Sequence, residues 1–152
     1  MRKLFLVLFL FFSVVSYSQI VERDGVYYTE KDLKYSGTYI EYFENGKKKI
    51  EVPIVDGLKN GNVILYFENG TKSEIRSYEL NQMHGKWETW NEQGVKISEA
   101  NYVNNKKHGR WIVWDDNGTM RYEMFYNNGV KTGKWTIWDE NGVEKGIKEY
   151  GN

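Results

Sequence analysis

Two histidines are the side chains whose type and spacing first suggest chemistry in this sequence, because neutral imidazole nitrogens bind zinc. His84 and His108 are 24 residues apart, and each is followed by a glycine, a basic residue and a tryptophan. Asn60 and Thr132 stand at the same place 24 residues earlier and later, so the position accepts histidine as one of several turn residues. Two strands of a sheet would separate the histidines by about 10 Å, whereas one zinc ion needs its ligands about 2 Å away. We therefore expect no metal site and no cofactor.

Acidic side chains are the second group suited to acid–base chemistry, and they recur at the same interval. They are Glu44, Glu68, Glu92, Asp116 and Glu140. A catalytic pair should stand apart from such a regular pattern, and no two of these carboxylates do so. The sequence also lacks a nucleophile elbow, a zinc-protease helix motif and a phosphate-binding loop. We therefore expect a protein that is not an enzyme and has no catalytic residues.

Glycine shows the interval most clearly, in two series with a fixed phase. The first series is Gly37, Gly61, Gly85, Gly109 and Gly133. The second series is Gly46, Gly70, Gly94, Gly118 and Gly142. Two such series indicate a tandem repeat protein. The predicted repeats cover residues 37-60, 61-84, 85-108, 109-132 and 133-152, and no linker or change of composition divides them into separate domains.

Each repeat has the composition of a β-hairpin. In the third repeat, residues 85–90 and 95–102 are rich in aromatic and β-branched side chains, which favour strands over helices. Gly94 lies in the turn between them, and in the other repeats this turn carries Asn-Gly, a strong hairpin signal. Short linkers bring each strand back beside the one before it. The sequence therefore predicts an all-β fold, an elongated single-layer antiparallel meander of five 24-residue hairpins about 50 Å long.

Three columns of mostly aromatic residues recur with one member in each repeat. The first column is Tyr39, Val63, Trp87, Trp111 and Trp135. The second column is Tyr42, Tyr66, Trp90, Trp114 and Trp138, and the third is Ile54, Tyr78, Tyr102, Tyr126 and Tyr150. Members of one column lie two strands apart, about 9.6 Å, so a continuous ladder needs interleaved side chains. The first and second columns are three residues apart and are expected on opposite faces of the sheet, unless a bulge re-aims one of them.

The six tryptophans are the candidate residues for contact with a partner. They are Trp87, Trp90, Trp111, Trp114, Trp135 and Trp138. Their large rings usually go where area can be buried, and packing within the ladder is the structural interpretation of the whole set. The alternative is an exposed aromatic stripe that stacks on sugar rings or docks a partner, because a single-layer sheet does not easily cover both of its faces.

The chain before the first repeat divides into two parts. Residues 1-18 have the features of a signal peptide, with two basic residues, an apolar run over residues 4–15 and small residues before a cleavage site at Ser18-Gln19. This pattern predicts an exported protein, located in the periplasm, on the outer cell surface or in the medium. Residues 19-36 are predicted to form a capping half-hairpin in front of the repeats.

Charge and cysteine content narrow the function classes further. The sequence has 21 basic and 21 acidic residues, so it lacks the excess of positive charge that would attract nucleic acid or an anionic membrane surface. We expect no nucleic-acid partner, and membrane association that is weak or absent. Cysteine is absent, so stability must come from packing and not from disulfides.

The pattern Gly-x-Trp-x-x-Trp-x-x-Asn-Gly, followed by Glu-x-x-Tyr, resembles the MORN repeat in its bacterial variant form. The fourth repeat carries the pattern in full, with Gly109, Trp111, Trp114, Asn117, Gly118, Glu123 and Tyr126. The resemblance covers residues 37 to 150. The first repeat departs from it with Ile54 at the tyrosine position, and the second departs with Ile75 at the glutamate position.

The resemblance implies a hairpin sheet that serves as an interaction or membrane-associated scaffold without catalysis of its own. Many similar bacterial proteins carry the label of YwqK family antitoxins of toxin–antitoxin systems. Together with the signal peptide, it leads us to expect an exported scaffold that mediates protein–protein interaction at the cell envelope, with an unidentified protein partner. The alternatives are an antitoxin-like neutraliser of a toxic partner, and glycan or cell-wall binding through the aromatic stripe.

Overall fold

The structure, a computed structural model, describes residues 19–151, so the predicted signal peptide at residues 1-18 lies outside the described residues. Regular structure in the described part consists of strands. They are β1 (Val21–Arg23), β2 (Val26–Tyr28), β3 (Gly37–Tyr42), β4 (Lys48–Val55), β5 (Leu58–Lys59), β6 (Gly61–Tyr66), β7 (Lys72–Glu79), β8 (Gln82–Trp90), β9 (Lys96–Val103), β10 (Lys106–Lys107), β11 (Gly109–Trp114), β12 (Met120–Asn127), β13 (Val130–Trp138) and β14 (Glu144–Tyr150).

One antiparallel sheet contains all the repeats, and its strand order follows the chain. The order is β3, β4, β6, β7, β8, β9, β11, β12, β13 and β14, and the two-residue strands β5 and β10 pair with β4 and β9 at the linkers. Five hairpins result, formed by β3–β4, β6–β7, β8–β9, β11–β12 and β13–β14. The predicted all-β antiparallel meander of hairpins is therefore confirmed.

Every hairpin contains a β-bulge close to its tip, with the extra residue on the second strand. The extra residues are Lys49, Ser73, Ile97, Arg121 and Lys145. In the fourth hairpin, Val113 pairs with Tyr122 and the next residue, Trp114, pairs with Met120. Because the extra residue is on the second strand, the alternation of side chains along the first strand is unbroken. Trp111 and Trp114 therefore lie on opposite faces of the sheet.

The hairpin tips and the linkers use different turns. At the fourth tip, the N–H of Gly118 donates to the carbonyl oxygen of Asp115 at 2.9 Å, and Gly118 takes a φ of 83°. This arrangement is a turn that ends on a left-handed glycine, and Asn117 is not itself left-handed. In the linker before it, two consecutive residues have positive φ, 48° at Asn104 and 65° at Asn105, which is typical of a type I′ turn.

Leu80 is the outlier among the linker turns. It has a φ of 45°, whereas the other linkers have Asp56, Asn104 and Asn128 at this position. A branched side chain is disfavoured in the left-handed region, and the Leu80 side chain is 54% exposed, so little packing offsets the strain. We expect Leu80→Asn to raise the free energy of unfolding by about 1 kcal/mol in chemical denaturation. The reciprocal change Asn128→Leu should lower it by a similar amount, and a stability loss with Leu80→Asn would contradict the prediction.

A separate small hairpin, β1 and β2, lies against the first two repeats. Where the sequence predicts half a hairpin within residues 19-36, the structure has these two short paired strands. The backbone N–H of Tyr27 donates to the carbonyl oxygen of Gly57 at 2.9 Å. The Tyr27 ring is only 7% exposed and packs in a cluster with three buried aliphatic side chains, Val52, Ile54 and Val63. This end of the sheet therefore has a packed core.

Candidate functional site

First-column tryptophans and third-column tyrosines form one continuous ladder on one face of the sheet. Its members are, in order, Tyr78, Trp87, Tyr102, Trp111, Tyr126, Trp135 and Tyr150. The centroids of neighbouring rings are 4.7 to 5.6 Å apart, and the rings are inclined to each other. The tyrosines thus supply the interleaved side chains that the spacing of one column requires. Each such pair adds about 0.5–1.5 kcal/mol beyond the burial of its area.

Each ladder tryptophan is also held by a hydrogen bond from its indole nitrogen to a backbone carbonyl oxygen. The bonds, all 3.0 Å long, join Trp87 to Ser77, Trp111 to Asn101 and Trp135 to Phe125. Because the polar atom of each indole is satisfied within the fold, the orientation of these three rings is set by the sheet itself.

Lysine side chains lie over the ladder along the linker edge of the sheet. The ammonium nitrogen of Lys107 is 4.4 Å from the ring centroid of Trp111 and 5.0 Å from that of Tyr126. Lys131 stands in the same relation to Trp135, at 4.7 Å. Such cation–π contacts contribute about 0.5–1 kcal/mol at exposed sites. The lysines therefore cover part of the ring surface that would otherwise face solvent.

The second-column tryptophans lie on the opposite face and have a different environment. Within residues 19–151, no stacked ring pair includes Trp90, Trp114 or Trp138, and all three are half-buried. The ammonium nitrogen of Lys96 lies 5.7 Å from the ring centroid of Trp90. The structure therefore divides the six candidate residues into three that stack in the ladder and three that do not.

Glutamates and their partners fill the surface around the second-column aromatics. The hydroxyl of Tyr66 donates to a carboxylate oxygen of Glu51 at 2.5 Å. Burial, together with this bond, raises the pKa of Tyr66 to about 12, and the bond lowers the pKa of Glu51. In the third hairpin, Lys96 forms ion pairs with both Glu88 and Glu99. Each of these three carboxylates therefore has a hydrogen-bond donor or a cation beside it on this face.

A charged pair within the ladder face was not found by the sequence analysis. The Nε of Arg76 donates to a carboxylate oxygen of Glu74 at 2.6 Å, and this bond raises the pKa of Arg76. The Arg76 guanidinium also lies 5.4 Å from the ring centroid of Trp87. The equivalent residues of the first repeat are Ile50 and Val52, and Val52 is 1% exposed. Only in the second repeat are the residues at both of these positions charged. A comparison of the repeats at the positions of Glu74 and Arg76 would therefore have revealed the pair.

The two histidines belong to the linker turns. The Nδ1 of His84 is 3.3 Å from the side-chain oxygen of Asn104, and the Nδ1 of His108 is 3.5 Å from the backbone nitrogen of Asn128. Each histidine thus joins one linker to the next. No group of three His, Asp or Glu side chains within residues 19–151 is placed to hold a metal ion. The same part of the chain has no helix that is long and apolar enough to cross a membrane.

Comparisons with known proteins bear on the repeat pattern. A model of the MORN repeat variant family matches residues 35–56, 83–104 and 107–128. These segments cover the hairpins β3–β4, β8–β9 (apart from Gln82) and β11–β12, and each begins two residues before a glycine of the first series. A search of curated proteins found no match. The resemblance is therefore confirmed at three of the five repeats.

Proposed function

We propose that this chain, which is similar to the MORN repeat variant family at three of its repeats, is an exported, non-enzymatic scaffold for protein–protein interaction at the cell envelope. MORN repeats are commonly scaffolds for protein or membrane interaction. The features of a signal peptide at residues 1-18 support export. The partner is a protein that the scaffold holds through a repeated surface.

The difference between the two faces of the sheet is the observation that carries this proposal. The ladder tryptophans stack on tyrosines and donate hydrogen bonds to backbone carbonyl oxygens, so their rings are engaged in contacts within the fold. On the other face, Trp90, Trp114 and Trp138 are half-buried and recur every two strands, about 10 Å apart. Tryptophan is enriched in protein interfaces, where it often contributes much of the binding energy. We name these three residues the second-column row and propose it as the contact surface.

Crosslinking of the tagged protein in its native host, followed by purification from each cell fraction, tests the proposal. We expect one reproducible protein partner from the envelope fraction and a mature chain that begins at Gln19. Trp114→Ala should weaken capture about tenfold, since a central interface tryptophan commonly contributes more than 1.4 kcal/mol. The matched control is Tyr122→Ala, in the same hairpin but on the ladder face, where the side chain is 42% exposed.

Two results would contradict the proposal in different ways. Equal capture by the Trp114 and control variants would show that the second-column row is not the contact surface. A chain that keeps Met1, with its partner in the cytoplasm, would contradict export and would favour the antitoxin-like alternative.

A further inference from the structure

An apolar cavity opens on the ladder face of the sheet at the fifth hairpin. Its volume is about 310 Å³, at the lower end of the range of about 300–1,000 Å³ typical of small-molecule sites. The six ladder-face side chains that line it are Tyr122, Met124, Trp135, Ile137, Lys148 and Tyr150. The indole nitrogen of Trp135 already donates to the carbonyl oxygen of Phe125. The polar groups left to a ligand are therefore one ammonium group and two tyrosine hydroxyls.

The strand register places all six side chains on the same face. Trp135 and Tyr150 are neighbours in the ladder itself. Ile137 is two residues beyond Trp135 on the same strand, so its side chain points to the same side. The other three are each paired across the sheet with a residue of this face, in the pairs Tyr122–Ile137, Lys148–Trp135 and Met124–Trp111.

A glycine beside the cavity leaves it open. Gly146 is paired with Ile137, and a Cβ atom at Gly146 would meet no atom within 4 Å. The φ of Gly146 is not positive, so its backbone conformation does not require glycine. The equivalent residues of the other repeats all have side chains, and they are Ile50, Glu74, Ser98 and Tyr122. The fifth hairpin therefore has a free space where the other four carry a side chain.

Two ammonium groups stand at one end of the cavity. The Nζ atoms of Lys148 and Lys131 are 5.2 and 5.4 Å from the ring centroid of Tyr150. Within residues 19–151 neither lysine forms an ion pair. The two glutamates of β14, at positions 144 and 149, are paired with residues of the second-column face and lie there. This end of the cavity therefore has an excess of positive charge.

Apolar walls with cations at one end match a ligand that has an apolar tail and a negative head group. We propose that this cavity binds a small anionic amphiphile, with its tail against Ile137 and Met124 and its head group beside Lys148 and Lys131. Each buried CH₂ group of the tail contributes about 0.8 kcal/mol. Ile137 lies about 6.7 Å along the strand from Trp135, so the cavity suits a tail of medium length.

The same lining is unfavourable for other small ligands. A sugar would bury hydroxyl groups against side chains that offer few hydrogen bonds, which costs free energy. A cationic ligand would meet the like charge of two lysines. This inference goes beyond the proposed protein scaffold, because the cavity lies on the face opposite the second-column row.

Calorimetric titration of the purified chain with octanoate and with octyl phosphate tests the inference, and their relative affinities distinguish a fatty acid from a lipid phosphate. We expect at least one of them to bind with a Kd of about 1 mM or lower. Octanol has the same tail without charge and should bind about fivefold more weakly. Gly146→Tyr should weaken binding of the anion about tenfold because the new ring fills the cavity. This variant should fold, since Tyr122 occupies the equivalent position in the fourth hairpin.

A second pair of variants tests the role of charge. Lys148→Met should reduce the preference for the anion over octanol from about fivefold to about twofold. The fourth hairpin has Met124 at this position, so the variant should fold. The matched control is Lys145→Met, which removes a lysine of the same strand that pairs with Asp139 at 3.0 Å and does not line the cavity. It should leave the preference unchanged.

A measurement that needs no variant protects the test against misfolding. In NMR spectra, saturating anion should shift the indole signal of Trp135 and leave that of Trp90, on the other face, in place. The inference is overturned if neither anion binds at about 10 mM, if octanol binds as tightly as both anions, if Gly146→Tyr binds as well as the unaltered chain, or if the two lysine variants behave alike. Trp114→Ala should bind the anion normally, so a failure of the protein scaffold proposal and a failure of this one are distinguishable.

Discussion

Replacement of Trp111 by alanine is expected to lower the free energy of unfolding by about 3 kcal/mol, the lower end of the loss for a large core aromatic residue, because its ring is half-buried within the ladder. Its ring lies between Tyr102 and Tyr126, with centroid distances of 5.1 and 5.3 Å. Alanine would leave a cavity between them and would remove the indole donor from the carbonyl oxygen of Asn101. The cation of Lys107 would also lose the ring beneath it. Chemical denaturation followed by circular dichroism measures the loss.

Trp114→Ala is the matched control, because it removes the same side chain from the same strand on the opposite face. Trp114 has no ring stacked on it within residues 19–151, so we expect a smaller loss of about 1–2 kcal/mol. Equal losses for the two variants would show that the ladder is not the main source of stability. A larger loss for Trp114→Ala would show that the core lies on the second-column face.

Tyr27→Ala is expected to detach the N-terminal hairpin and to cost about 3 kcal/mol. Tyr27 is the aromatic member of the buried cluster at this end of the sheet, and its ring centroid is 5.6 Å from that of Tyr39. The detached hairpin would expose Val52 and Ile54, which are 1% and 2% exposed. Hydrogen exchange should report the change at Gly57, whose amide donates to the carbonyl oxygen of Tyr35.

The matched control for the N-terminal hairpin is Tyr28→Ala, one residue further along the same strand. The Tyr28 ring lies beneath the guanidinium of Arg23 at 4.4 Å and is outside the buried cluster. We expect Tyr28→Ala to leave exchange at Gly57 almost unchanged. If Tyr27→Ala also leaves this amide protected, the hairpin is held by its backbone hydrogen bonds and not by the aromatic contact.

Much of the fold was predictable because its signals are local in the chain. Glycine at each tip marks a left-handed turn position, and alternating aromatic and β-branched residues mark strands. Linkers of a few residues leave antiparallel neighbours as the simplest arrangement. The regular spacing of Trp111 and Trp135 also implied that a ladder needs interleaved side chains. The same patterns carried the resemblance that three repeats confirm.

The candidate site was less predictable because its contacts join different strands and repeats. Nothing near Trp87 in the chain shows that Arg76 lies beside its ring and is held there by Glu74. The bulge at Ser73 depends on pairing with the opposite strand, which the residues around Ser73 do not reveal. The role of the tryptophans as partner contacts stays a prediction.

Local turn chemistry and the alternation of side chains were enough to specify the repeat, the antiparallel order of the strands and the two aromatic faces. The register between strands, which only the tertiary structure shows, determined the contacts between the rings and the positions of the bulges. It placed Tyr102 between Trp87 and Trp111, put each bulge on the second strand of its hairpin and left Trp114 unstacked. The physical reason is that ring stacking and bulge position depend on residues brought together across the sheet. The alignment of these residues along neighbouring strands is not encoded in any single segment of the chain.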